Sequence, residues 1–144
     1  MKKLFLGGFL LAAGTNATYA QCDKKVVITS TKTEHLAADS SVAQSENDST
    51  TVEFDRTTLD VTVRSPDHDQ HLKGTVKSYS CDWSQPYKEG KTVIKATLTN
   101  DEGETRDLTI TVTGTGGKVG FLAELSGDET QRIRLLVDKF EEKK

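Results

Sequence analysis

Leu108-Thr109-Ile110-Thr111-Val112-Thr113 alternates an apolar residue with a threonine at every step. A two-residue period of this kind puts one set of side chains in oil and the other in water. It fits a strand in an antiparallel sheet that is wet on one side. Leu59, Val61 and Val63 repeat the pattern against Asp60, Thr62 and Arg64, and Ile94, Ala96 and Leu98 repeat it against Lys95, Thr97 and Thr99. Threonine and valine are the residues that suit a pleated, half-buried surface.

Short turn signals separate these runs. Asn100-Asp101-Glu102-Gly103, Gly114-Thr115-Gly116-Gly117 and Gly127-Asp128 each bring glycine to a place where the chain must reverse. Consecutive hairpins make a meander, with strands expected near 24–34, 41–46, 50–55, 58–64, 71–81, 91–100, 106–114, 118–126 and 131–139. The stretch Ala37 to Ser49 is polar and small, and reads as a loop with at most a short strand. Residues 131–140 fit two templates. Ile133, Leu135 and Val137 suit a strand, while Ile133, Leu136, Val137 and Phe140 suit one face of a helix. The run Val119, Phe121, Ala123, Leu125 followed by the Gly127 turn favours one more hairpin, hence a strand.

The chain has 144 residues, 34% hydrophobic and 28% charged, which suits one soluble globular domain. Lys2 and Lys3, the apolar run Leu4 to Ala13, and Thr18-Tyr19-Ala20 form the three parts of a secretory signal, with cleavage expected after Ala20. The apolar run is about half the ~20 residues that cross a bilayer. Residues 1–20 are therefore read as a signal and 21–144 as a single β-meander domain that is secreted or periplasmic. The style of the signal is bacterial. That segment holds two of the 19 basic residues and none of the 22 acidic ones, so the remaining chain carries a net charge of −5. Mild acidity disfavours nucleic acid and anionic membrane surfaces as partners.

Cys22 and Cys81 are the only cysteines. In an oxidising compartment an even pair in a small chain reads as one disulfide. Eight or nine antiparallel strands can bury an apolar face as an up-and-down barrel or as a β-sandwich. The barrel is favoured because it removes exposed edges. In strand number and size this all-β chain resembles the lipocalin-like and avidin-like small ligand-binding barrels. The likeness is architectural only: the Gly-x-Trp signature that opens lipocalins is missing, and the sole tryptophan, Trp83, lies in mid-chain.

Tyr79, Trp83 and Tyr87 are the candidate ligand-binding residues. Tyr79, Cys81 and Trp83 share one strand face, Pro86 ends the strand, and the rings offer flat apolar area with polar tips. The plainer reading is that they plug one end of the β structure and pack on the disulfide. Asp67-His68-Asp69-Gln70-His71 is the one local cluster with metal-ligand chemistry. His68 and His71 are weak candidates that His35 could complete, and a metal-dependent hydrolase is the corresponding minor reading. An ordinary solvated turn explains the same run.

Other fragments do not carry chemistry. Gly114 to Lys118 lacks the first Walker glycine, since Val112 stands there, and Val119 follows the lysine. Asp101, Glu102 and Glu104 do not have calcium-loop spacing. Asn47-Asp48-Ser49 is a glycosylation sequon, discounted for a bacterial host. There is no G-x-S-x-G elbow, and no motif calls for a cofactor. The sequence therefore leads to an exported, non-enzymatic β-barrel that binds a small apolar or ring-bearing ligand. The alternative is a structural module that meets a protein or polysaccharide through its outer face or a sheet edge.

Overall fold

A computed structural model describes residues 22–67, 69–128 and 130–143. The proposed signal segment and His68 lie outside the described residues. Among the described residues nine strands follow one another: β1 (Lys25–Leu36), β2 (Val42–Glu46), β3 (Ser49–Phe54), β4 (Thr58–Arg64), β5 (Asp69–Gln85), β6 (Glu89–Thr99), β7 (Thr105–Thr115), β8 (Lys118–Leu125) and β9 (Arg132–Lys143). The C-terminal segment is a strand. Leu136 points outward and is 40% exposed, while Leu135 on the opposite face is buried.

Every neighbouring pair is antiparallel, and β1 closes the sheet by pairing along its whole length with β9. Eight strands, β1 and β3 to β9, form an up-and-down barrel, and β2 is an extra strand. β2 and β3 both run against β1, with Thr33 opposite Glu46 and Ser30 opposite Thr50. Three steps on β1 thus face four on the other side, so β2 continues the line of β3 beyond a one-residue bulge at Asn47-Asp48.

Two further bulges reverse which residues face inward. On β5 the register slips at Lys77, between Val76 opposite Ala96 and Ser78 opposite Lys95. Leu72, Gly74 and Val76 face the interior before the slip, and Tyr79, Cys81 and Trp83 after it. Where β1 meets β9, Thr31 and Asp138 are both left out of the ladder. They bond to each other instead: the Thr31 N–H and hydroxyl donate to Asp138 Oδ2 at 2.7 and 2.8 Å.

The core lines the barrel interior and draws on nearly every strand. Ile28, Phe54, Leu59, Trp83, Ile94 and Val112 are each at most 1% exposed. Trp83 stands opposite Gly90 on β6, which stands opposite Gly114 on β7. A Cβ at either glycine would collide with Trp83, so the two glycines form the seat of the indole. The β7–β8 reversal is made by Gly116 and Gly117 alone, at φ 59° and 83°, the two-residue turn that follows strand twist. β7 ends one residue beyond the expected 106–114, taking in Thr115, which the sequence placed in the turn.

Asp55 organises the β3–β4 turn. Its Oδ1 accepts the N–H groups of Thr57 and Thr58 at 2.8 and 2.7 Å, and both hydroxyls at 3.1 and 3.0 Å. Partial burial alone would raise its pKa, but these four bonds outweigh it and hold the carboxyl at about 2. A folded value below the ordinary 3.8 means that the stabilisation is fully present above pH ~4 and lost as pH falls through 2. Asp55→Ala is expected to cost about 2 kcal/mol near neutrality. In urea titrations between pH 6 and 2, its deficit against the parent should shrink towards zero at the acid end. A deficit independent of pH would disprove this role.

Candidate functional site

Alternate turns of an up-and-down barrel lie at the same end. The β3–β4, β5–β6 and β7–β8 turns share one end with the start of β1 and the finish of β9, where Lys25 stands opposite Lys143. This end is closed. Trp83 is 1% exposed and its Nε1 donates to the Thr92 hydroxyl at 2.7 Å. That hydroxyl lies 3.7 Å from Cys81 Sγ, within the Cys22–Cys81 disulfide. Trp83 meets Tyr87 edge-on, with centroids 6.1 Å apart, and Tyr87 meets Phe140 at 4.5 Å.

The Tyr87 hydroxyl donates a short hydrogen bond to Glu142 Oε1, and Lys24 lies 3.1 Å from the other oxygen of that carboxylate. Burial and then the Glu142 carboxylate push the Tyr87 phenol up, while the bond from Tyr87, against some burial, and Lys24 hold Glu142 below its usual range. Tyr79 is the outlying ring, with the Arg56 guanidinium 5.3 Å from its centroid. All three candidate aromatics thus belong to the floor, and none of them lines the cavity described next.

The other half of the barrel encloses a cavity of about 420 Å³. Its wall is apolar: Val52, Val61 and Val63 on one side, Leu72, Leu98 and Leu108 on another, and Phe121, Ala123, Leu125, Ile133 and Leu135 on the third. This volume lies within the range of small-molecule sites, which combine apolar walls with a few polar groups. Among the described residues, the polar groups collect at the mouth, with His35, Glu46, Asp48, Gln70, Asn100, Glu104, Arg106 and Gln131 around it.

Local chemistry fixes this rim. The β6–β7 turn is held by Asn100 Oδ1, which accepts the N–H groups of Glu102 and Glu104 at 2.9 Å each, with Gly103 at φ 86°. Asp39 holds the β1–β2 turn through the Ser41 hydroxyl and N–H at 2.6 and 3.0 Å, and Asp128 holds the β8–β9 turn through Thr130 at 2.5 and 3.0 Å. Those bonds keep Asp39 and Asp128 below the ordinary carboxylate range, so both stay charged. With Asp67, Asp101 and Glu102 in the intervening turns, the mouth is ringed by carboxylates.

Two arginines towards this end are paired: Arg132 lies 3.6 Å from Glu124 and Arg134 2.8 Å from Glu34, while Arg64 is exposed at the end of β4. Arg106 is exposed on the rim, two residues from Glu104 on the same strand face. At the floor the charges are matched: Lys25 with Asp55, Arg56 with Asp23, and Lys143 with Glu53 lie within 2.8 to 3.8 Å.

Asp48, from the bulge between β2 and β3, is a rim residue that sequence reasoning missed. The Thr33 hydroxyl donates to its Oδ1 at 2.7 Å and the Thr50 hydroxyl approaches at 3.5 Å. Both threonines are buried, at 7% and 3% exposure. The only signal in the sequence is the polar Asn47-Asp48-Ser49 step just before Thr50 and Thr51, which also fits a glycosylation sequon.

The candidate metal residues are dispersed. His71 is half exposed on β5 and its Nε2 lies 3.3 Å from Asp60 Oδ1, while His35 Nε2 lies 3.7 Å from Glu46 Oε1 at the mouth. Among the described residues no group of three or more histidines, cysteines and carboxylates is placed to hold a metal ion. No helix of the described residues is long and apolar enough to cross a membrane. The outer face carries threonines and charges, with Val42 and Leu136 as its exposed large apolar residues among those described. Compared with protein-family models, with curated proteins and with solved structures, the chain matches none of them.

Proposed function

We propose that this protein is an exported, non-enzymatic binding module that holds a small, largely apolar or ring-bearing molecule inside the barrel. The observation that carries this reading is the cavity of about 420 Å³, apolar along its walls, polar at its mouth and backed by the aromatic floor. Burial of apolar area supplies the affinity in such a site, at roughly 25 cal/mol per Å² removed from water, and the rim sets orientation. The signal-like segment and a disulfide suited to an oxidising compartment support export.

A neutral dye whose emission rises in oil, N-phenyl-1-naphthylamine, tests the reading. It should bind saturably, one per chain. Ala123→Trp, which grows an indole from the wall into the empty space, should abolish binding without lowering the melting temperature. Dye binding that ignores Ala123→Trp would place the ligand elsewhere and defeat the proposal.

The sheet edge supports a second reading. β2 is exposed on both faces and, among the described residues, pairs only with β1. Its other edge is open to strand addition by a protein partner. Replacing Gln44 by proline should then remove partner capture in native extracts while leaving dye binding intact.

A further inference from the structure

We infer that the barrel selects molecules whose polar head is a positively charged nitrogen, with the apolar body in the cavity and the head at Asp48. This rests on the proposed binding role of the cavity and names its ligand class. Two independent observations meet at one place.

The first is Asp48 itself. Its carboxylate lies on the cavity lining, half-buried, and its hydrogen-bond partners are the hydroxyls of Thr33 and Thr50, both more than nine-tenths buried. Its pairing is therefore with neutral groups, which hold the carboxylate in place without cancelling its charge. A cation arriving at the top of the apolar wall meets a fixed acceptor in a medium that screens less than water.

The second is the field around the entrance. Glu46 and Glu104 share the cavity lining with Asp48, and the turns above carry Asp39, Asp101 and Asp128. Carboxylates above a low-dielectric shaft focus a negative potential into it and raise the local concentration of cations. The basic residues on that lining are Arg106, exposed and two positions from Glu104, and His35, whose Nε2 lies 3.7 Å from Glu46 Oε1; the carboxylates outnumber them. At the roughly 30 Å³ that a water-sized group occupies in a liquid, the cavity accommodates on the order of a dozen non-hydrogen atoms. A ten-carbon chain is a suitable probe body.

Displacement of the neutral dye from the disulfide-intact protein by decyltrimethylammonium, 1-decanol and decanoate, all below micelle formation, reads the head preference directly. The cation should displace at a concentration about tenfold lower than the alcohol, and decanoate should be weakest. Asp48→Asn should bring cation and alcohol together. So should roughly 0.5 M salt in the unmodified protein, where charges a few ångströms apart are screened. Glu104→Gln, at an exposed position, should narrow the gap by a smaller factor and decides the matter should Asp48→Asn not fold. Decanoate as good as the cation, or a cation-to-alcohol ratio unmoved by salt and by both variants, overturns the head assignment while leaving the barrel as an apolar carrier. Failure of all three probes and of the dye itself brings down the binding role as well.

Discussion

Trp83→Ala is expected to cost about 3–5 kcal/mol of folding stability, the upper range for truncating a buried aromatic. The indole is 1% exposed, caps the floor, and is clasped by Gly90 on β6 and Gly114 on β7, the next two strands of the sheet. Those walls are backbone in a continuous ladder, so they cannot collapse into the space that alanine would leave. The Thr92 hydroxyl also loses its donor, and Tyr87 loses its edge contact. Urea unfolding followed by circular dichroism measures the loss. Dye affinity well below the melting point should stay within about twofold, because the cavity is bounded by Val52, Ile110, Phe121 and Leu135 rather than by the indole. A stability loss under about 1 kcal/mol would mean that the floor does not depend on Trp83.

Removing the disulfide is the second large effect. The Cys22–Cys81 bond joins the residues before β1 to the second half of β5, with a sequence separation of 59. Closing a loop of that size stabilises by about 4 kcal/mol on the chain-entropy account. Cys22 is itself 4% exposed, so the bond also anchors the entry to β1, on which β2, β3 and β9 all depend for pairing. The Cys22→Ala/Cys81→Ala double variant, compared with the oxidised parent in urea, should lose about 2–5 kcal/mol. Reductant should lower the parent's stability by a similar amount and leave the variant unchanged. A variant as stable as the parent would show that the link constrains nothing the sheet does not already hold.

The strands were legible because each obeys a local rule. Leu108, Ile110 and Val112 face in, and the threonines between them face out, whatever the rest of the chain does. The bulges were not legible, since a skipped residue is recorded only in the pairing with a partner strand. The double reading of residues 131–140 has this origin. Beyond the bulge at Asp138 the inward set changes from Leu135 and Val137 to Phe140, and that shift of phase imitates a helical stripe. The floor was visible in outline as aromatics packing on a disulfide, but its glycine seat was not. Gly90 and Gly114 lie 24 positions apart in number and meet only across the β6–β7 ladder.

The cavity escaped sequence reasoning for a related reason. A meander of nine separate strands would assign the turns to the wrong ends. Because β2 and β3 act as a single bulged stave, the β1–β2, β4–β5, β6–β7 and β8–β9 turns come together. The acidic residues of those turns, each ordinary alone, thereby become one ring above the hydrophobic shaft. Asp48 joins them through the bulge that makes the two strands one.

The side-by-side start of β1 and finish of β9 at the floor has a practical corollary for engineering. A tether, surface anchor or fused reporter attached beyond Lys143 would present the opening away from its support. A short linker from that point to the residues before β1 would permit recutting of the β domain at Gly116-Gly117, because Lys25 and Lys143 are already ladder partners.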